Sequence, residues 1–226
     1  MKKVVISLGG SRIVPDDVDA KFVEEFRELI LKHKKTKFVV VTGGGSTARR
    51  YITALRKLHK DLRMQSDAGI EVTRYHASFL MRLFGKPANE VLPKSIKQVE
   101  NLLKKNQVVF CGALRYNPKQ TSDGTAASLA AHLKCPFINL TNVQGIYTKN
   151  PKTNKTAKFI KQITWGDFWK MARLIKFEAG QHFVLDQSGA ETILVRKVPT
   201  YIVGSLSDID KIVSDKKNYK GSLISG

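Results

Sequence analysis

Two runs of aliphatic and β-branched residues stop abruptly at glycines within the first 46 positions, and nothing else constrains the chain as strongly. Lys3-Val4-Val5-Ile6-Ser7-Leu8 runs into Gly9-Gly10-Ser11, and Lys37-Phe38-Val39-Val40-Val41-Thr42 runs into Gly43-Gly44-Gly45-Ser46. Short, nearly uninterrupted apolar runs suit strands buried on both faces. Between them, Phe22, Phe26, Leu29 and Ile30 fall on one stripe of a helix over Asp19 to His33. A strand, a helix and a second strand in that order predict a parallel pair with a crossover.

The pattern continues downstream. Ala48, Ile52, Leu55 and Leu58 mark a helix after the second glycine run, and another is expected from Gly69 to Phe84. Gly85, Pro87 and Pro93 make 85–94 a loop, and Ser95 opens a helix through Ile96, Val99, Leu102 and Leu103. Val108–Cys111 and Pro136–Leu140 read as strands, Asp123–Leu133 as an Ala-rich helix between them, and Thr200–Gly204 as a later strand. The fold class that follows is α/β, a mostly parallel sheet covered on both faces, with sites at the carboxyl ends of its strands.

Of the 226 residues, 39 are Lys or Arg and 19 are Asp or Glu, a formal charge of +20. That excess favours anions: nucleic acid, anionic membrane or phosphorylated small molecules. Its distribution narrows the choice. Lys34-Lys35, Arg49-Arg50, Lys104-Lys105 and Lys216-Lys217 are scattered, and no block of five like charges marks a nucleic-acid tail. No apolar run approaches the roughly 20 residues of a membrane helix. The opening Met1–Ser7 reads as a strand, not as a signal segment. Cys111 and Cys135 form no metal or disulfide spacing, and a buried thiol is the reading for Cys111. His33, His59, His76, His132 and His182 show no i, i+4 pair, which argues against zinc. The chain is expected to be soluble and cytoplasmic.

Glycine lets backbone N–H groups come close to an anion, and the second run leads straight into a helix whose N-terminus favours phosphate. Neither run carries a Walker A Lys or a G-x-G-x-x-G pattern. Arg49 and Arg50 follow in the first turns, about 100° apart on the helix, so one of them is expected to face the site. Thr121-Ser122-Asp123 precedes the Ala-rich helix. It reads either as a cap or as a sugar or phosphate contact. Thr141–Thr148 is either a hairpin turn or a turn whose Tyr147 lies against a base. Asp186 before Gln187 is most simply a helix cap.

Taken in order, these segments resemble the amino-acid-kinase fold, and within it the archaeal-type uridylate (UMP) kinases. The resemblance rests on Leu8-Gly9-Gly10-Ser11, on Gly43-Gly44-Gly45 with Arg49, and on Asp67-Ala68-Gly69-Ile70 with Thr73-Arg74. It continues through Thr121-Ser122-Asp123, Thr141-Asn142-Val143 with Gly145-Ile146-Tyr147-Thr148, Thr156-Ala157-Lys158 and Val184-Leu185-Asp186. It implies a three-layer αβα sandwich forming one domain over residues 1–226, with the acceptor side N-terminal and the ATP side C-terminal. It implies transfer of the γ-phosphoryl group of ATP to UMP with Mg²⁺, in pyrimidine nucleotide biosynthesis, by a homo-oligomer of hexameric type.

By position, the resemblance sets Gly9, Gly10 and Ser11 at the transferring phosphates. Gly44, Gly45 and Arg49 would bind the UMP phosphate, with Gly45 also reaching toward ATP, and Asp67 would hold the ribose. Thr121 and Asp123 would close on the acceptor. Asn142, Tyr147 and Asn150 would face ATP, and Asp186 would organise the transfer centre. The metal ligands are left unassigned. The chain departs from the family pattern at Ser7, where many relatives have Lys, and at Cys135, Gln144 and Asn150, where acids are usual; Gln187 replaces a proline. Two other functions remain open on the sequence: a kinase of this fold with another small acceptor, or a binding protein for nucleotides or nucleic acid that has lost turnover.

Overall fold

The computed structural model describes residues 1–58, 61–117, 120–151, 153–174 and 184–226; His59 and His182 lie outside them. In chain order the elements are β1 (Lys2–Leu8), α1 (Gly10–Ile13), α2 (Ala20–Lys32), β2 (Thr36–Thr42), α3 (Gly45–Leu58), α4 (Leu62–Phe84), α5 (Ile96–Lys105), β3 (Val108–Cys111) and α6 (Ser122–Leu133). The second half adds β4 (Phe137–Leu140), β5 (Ile146–Tyr147), β6 (Phe159–Ile160), β7 (Gln162–Ile163), α7 (Trp165–Arg173), α8 (Gln187–Arg196), β8 (Thr200–Val203), α9 (Leu206–Val213) and β9 (Gly221–Ile224). One sheet runs in the order β3-β2-β1-β4-β8-β9-β7. Its first five strands are parallel, β9 runs antiparallel to β8, and β7 is parallel to β9. β5 and β6 pair separately as an antiparallel ribbon.

Strand periodicity sorts the apolar side chains into two cores. Val4, Ile6 and Leu8 of β1 join Phe38, Phe110 and Ile138 on the face covered by α2, α4 and α9, where Phe26, Leu80, Phe84 and Ile209 complete the packing. Val5, Val39, Val109 and Phe137 point the other way, onto Val99, Leu129, Phe168 and Ile193 of α5, α6, α7 and α8. The result is the three-layer αβα sandwich with a mostly parallel sheet. It also explains why the first two strands read as continuous apolar runs: both of their faces are covered. Ser7 belongs to the second face and is fully buried, so a hydroxyl sits where the pattern calls for an aliphatic residue.

Helix starts are set by side-chain caps. Asp19, Ser95, Thr121, Thr164, Asp186 and Ser205 each accept a backbone N–H from the first turn of the helix that follows. The helix expected from Gly69 begins seven residues earlier, at Leu62. Asp61 caps it by accepting from the N–H groups of Arg63 and Met64. Its first turns carry Arg63, Gln65, Ser66 and Asp67, which gave no apolar stripe to read. Gly69 lies inside the helix because α4 packs tightly on α3: a Cβ there would stand 3.2 Å from Cδ1 of Ile52. α1, α7, α9, β5, β6, β7 and β9 had no counterpart in the sequence reading; several are too short to show a period. No helix among the described residues is long and apolar enough to cross a membrane.

Candidate active site

The carboxyl ends of β1, β2, β3 and β4 open into one cavity of about 720 Å³. This is where ligands bind in open parallel sheets. Its floor is the pair of glycine runs. Gly43 N–H donates to Leu8 O at 2.8 Å and Gly9 N–H to Leu140 O at 3.3 Å, so the turns continue the sheet and do not leave it. A Cβ on Gly10 would stand 2.4 Å from Gly43 O and 2.5 Å from Gly45 N, so the two turns are in backbone contact. Gly45 has a φ of 59°, the left-handed conformation that lets β2 turn into α3 within one residue.

Side chains from α4 hold this floor. His76 is buried, and its Nδ1 lies 2.8 Å from Gly43 O, so that nitrogen carries the proton and donates. Burial lowers the His76 pKa, partly opposed by the bond to Gly43, and the ring is neutral at pH 7. Thr42 Oγ1 donates to Thr73 O at 2.7 Å, and Thr73 Oγ1 accepts from Ala113 N–H at 2.9 Å. Arg74 Nε and Nη2 donate to Ala113 O and Leu114 O. Residues 113–114 thus hang from α4 and carry Arg115 and Tyr116 into the cavity wall. Sequence reasoning gave His76 no role. Its only local signal is the i, i+3 spacing from Thr73, which sets both on one face of α4.

Across the cavity, the N-termini of α6 and α8 meet on a single carboxylate. Asp186 Oδ2 accepts from Thr121 N–H at 2.9 Å, from Thr121 Oγ1 at 2.5 Å and from Gly124 N–H at 3.0 Å, while Oδ1 accepts from Gly189 N–H at 2.7 Å. Asp186 is 1% exposed, and it caps its own helix while fastening α6 to it. Asp123, half-buried in the first turn of α6, accepts from Ser7 Oγ at 2.5 Å. Burial pushes the Asp123 carboxyl up to about 7. Neighbouring Asp186 adds to the rise, and the bonds from Ser7 and Asn139 oppose it.

Arg12, Arg49, Arg56 and Arg115 reach the cavity wall, against Asp123 and Asp186 as its carboxylates. The wall is therefore net positive and suited to phosphate. Of the two adjacent arginines, Arg49 faces the cavity, and Arg50 is exposed with Asp16 at 3.6 Å. Gly9, Gly10, Ser11, Gly44, Gly45, Thr121 and Asn142 all line the same space. Three other candidates do not. Asp67 is half-exposed beside the cavity and is gripped by Arg63 Nε at 2.9 and 3.1 Å, while the Arg63 guanidinium stacks 4.3 Å from the centre of the Tyr116 ring. Tyr147 packs edge-on against Phe159 across the β5–β6 ribbon, with ring centres 5.4 Å apart. Asn150 lies in the exposed connection between those strands.

Comparison with known proteins agrees with this geometry. Residues 2–203 match the profile described as the Amino acid kinase family. The chain belongs to this family. It is 31% identical to the uridylate kinase of Thermococcus kodakarensis over 98% of this chain and 99% of that protein. It is 32% identical to the uridylate kinase of Thermococcus onnurineus, with the same coverage of each. Among solved structures, uridylate kinase from Archaeoglobus fulgidus superposes with a TM-score of 0.84 at 31% identity, covering 100% of both chains.

Within this amino acid kinase the departures from the family pattern have identifiable surroundings. Ser7 serves as the hydrogen-bond donor to Asp123. Cys135 is buried just before β4, and burial raises its thiol to about 11; burial likewise lifts Cys111 to about 12, so neither is a thiolate nucleophile at neutral pH. Gln144 is exposed in the turn before β5, and Gln187 opens α8 with its side-chain amide 3.3 Å from Arg173 O.

Proposed function

We propose that the chain is a uridylate kinase, transferring the γ-phosphoryl group of ATP to UMP to give ADP and UDP. The observation that carries this reading is the cavity floor: two glycine turns in backbone contact, flanked by arginines, in a chain alignable end to end with uridylate kinases. Phosphoryl transfer asks little covalent chemistry of a protein. It asks for in-line placement and for compensation of the charge on the phosphoryl oxygens.

The roles divide along the cavity. Gly44, Gly45 and Arg49 take the phosphate of UMP, the guanidinium as a fork and the turn through its N–H groups. Gly9, Gly10 and Ser11 meet the transferring phosphates. Thr121 and Asp123 close over the acceptor. Asn142, with Tyr147 and Asn150 beyond it on the ribbon side, faces ATP. Asp67 reaches the UMP ribose after exchanging its contact with Arg63. Asp186, with all its bonds spent on α6 and α8, is a positioning residue that sets Thr121 and Asp123 at their places. Residues before β4 serve mainly the acceptor and those after it mainly the donor, within one domain.

Mg²⁺ is the expected partner of ATP. The oxygen donors on this wall, the Asp123 carboxylate and the Ser11 hydroxyl, suit a hard cation that keeps most of its other sites for phosphate and water. When bound, Mg²⁺ supplies charge neutralisation on the phosphoryl oxygens. The outer surfaces of α3 and α4 expose Tyr51, Leu58, Leu62 and Tyr75, which supports a homo-oligomer; sedimentation giving monomer alone would remove that part of the reading.

The test is an acceptor panel. With ATP and Mg²⁺ present, UMP, CMP, AMP and small phosphate acceptors are compared by ADP release. UMP is expected to be the preferred acceptor. A preference for another acceptor makes the chain a kinase of different specificity. Nucleotide binding without turnover makes it a binding protein.

A further inference from the structure

Arg12 carries features that its surroundings do not explain. It lies in α1, directly after Ser11, and lines the cavity. Its guanidinium carbon sits 4.7 Å from the centre of the Phe22 ring. Its Nε is buried and has no hydrogen-bond partner. Among the described residues, Arg12 makes no ion pair. Arg27 also has a buried Nε without a partner, but its Nη1 is 3.0 Å from Glu24, and Arg50, Arg63 and Arg74 pair with Asp16, Asp67 and Glu71; the cavity arginines Arg49, Arg56 and Arg115 make no ion pair among the described residues either, but have no buried, unpartnered Nε.

A guanidinium partly removed from water, with an open N–H and no counter-charge, costs stability until an anion arrives. Arg12 is also held ready. The ring of Phe22 fixes the plane of its guanidinium. Its backbone is fixed as well: Gly10 is in contact with Gly43 and Gly45, and Ser46 Oγ lies 2.9 Å from both Val14 O and Pro15 O, which ties the exit of α1 to the start of α3. A pre-oriented, unpaired guanidinium beside a glycine floor is a phosphate grip awaiting its ligand.

We propose that Arg12 is a second phosphate-binding residue of this site, and that it takes the terminal phosphate of the donor nucleotide while Arg49 takes the phosphate of UMP. The inference rests on the kinase reading above. The assignment to the donor follows from placement. Arg12 continues the Gly9–Ser11 turn at the end of β1, next to the end of β4 with Thr141 and Asn142, whereas Arg49 and Arg56 stand on α3. In the transfer, an oxygen of the UMP phosphate forms a bond to the γ-phosphorus. The bond from that phosphorus to the β–γ bridging oxygen breaks, and this oxygen keeps the electron pair as part of ADP. Arg12 compensates charge on the moving group. Ser7 on β1 is neutral and is occupied by Asp123, so the cation at this end of the cavity comes from α1.

Arg12→Met keeps the stem against Phe22 and removes the charge. It is expected to lower kcat/KM for ATP by about 10- to 100-fold, the scale of a lost hydrogen-bonded charge contact. KM for UMP should stay within about twofold. Binding of a non-hydrolysable ATP analogue that keeps the γ-phosphate, measured calorimetrically without acceptor, should weaken by a similar factor, ADP binding should change less, and Arg12→Lys should recover part of the loss. The ligand-free Tm of Arg12→Met should equal or exceed that of the parent, because an unpaired, partly buried charge is gone. Unchanged donor affinity and turnover would overturn the proposal, as would a lower ligand-free Tm with unchanged binding of the ATP analogue, which would make Arg12 only a packing partner of Phe22. A rise in KM for UMP alone would move Arg12 to the acceptor and also overturn it. Failure of the kinase reading shows separately, as parent protein with no UMP-dependent ADP release; the comparison of ATP-analogue binding decides the role of Arg12 even then.

Discussion

The two walls of the cavity are built from different materials. The β1–β2 side is backbone: glycine turns in direct contact, with His76 donating to Gly43 O from beneath. The α6–α8 side is carboxylate: Asp186 fastening two helix N-termini, and Asp123 accepting from Ser7. A backbone wall offers N–H groups to an anion and tolerates no added atoms. A carboxylate wall tolerates side-chain change sterically but responds to protons. The two halves should therefore fail differently, the first under a methyl group and the second under a change of charge or pH.

The largest effect on stability is expected from Asp186→Ala. It strands the N–H groups of Thr121, Gly124 and Gly189 with no acceptor, at about 3 kcal/mol or more. Denaturant unfolding measures this, and a loss below about 1 kcal/mol would mean that α6 and α8 do not depend on this joint. Gly10→Ala comes next. Its Cβ would meet Gly43 O at 2.4 Å, and the turns must separate. A stability loss of about 1–3 kcal/mol is expected, with activity falling further than stability alone explains; retained activity would break the idea of a close-packed floor.

How much of this was legible beforehand follows the same division. The backbone wall could be read, because each glycine run sits next to its strand in the chain and the residues that need it are local. The residues of the carboxylate wall were named only through the family resemblance, and the bonds that join them could not be read. Asp186 looked like an ordinary cap, and its bonds to Thr121 and Gly124 span 65 and 62 positions. His76 lies 33 positions from Gly43, and nothing local marks their contact. The start of α4 was missed because its first turns are polar, and the ribbon strands were missed because two residues carry no period. Tyr147 shows the limit differently: its aromatic ring was visible in the sequence, but its partner Phe159 on the facing strand was not.

A pH comparison sharpens the contrast further. The Asp123 carboxyl titrates at about 7 in the folded chain and near 4 when unfolded. The folded state therefore holds the extra proton between those values, and stability falls as pH rises from about 4 to 7. Asp123→Asn should remove that slope, so that its Tm exceeds the parent's above pH 7 and the advantage shrinks toward pH 5. His76 acts with the opposite sign. Its lowered pKa means that the unfolded chain takes up the proton first, so stability drops as pH falls below about 6.5. A parent protein with a flat profile over pH 5–8, matched by Asp123→Asn, would contradict the carboxylate account. The smallest effect is expected from Tyr147→Leu, outside both walls: less than about twofold on KM for UMP, with any change confined to ATP. A larger effect on UMP would place the ribbon inside the acceptor site.

The most direct measurement follows the phosphorus itself. The protein is mixed with ATP, UMP and Mg²⁺, and phosphorus NMR tracks the products, beside an Arg49→Ala sample at equal concentration. The account predicts UDP and ADP appearing in equal amounts, with the rate at limiting UMP lowered by about 100-fold in the variant. ADP formed without UDP, or equal rates in the two samples, would contradict it.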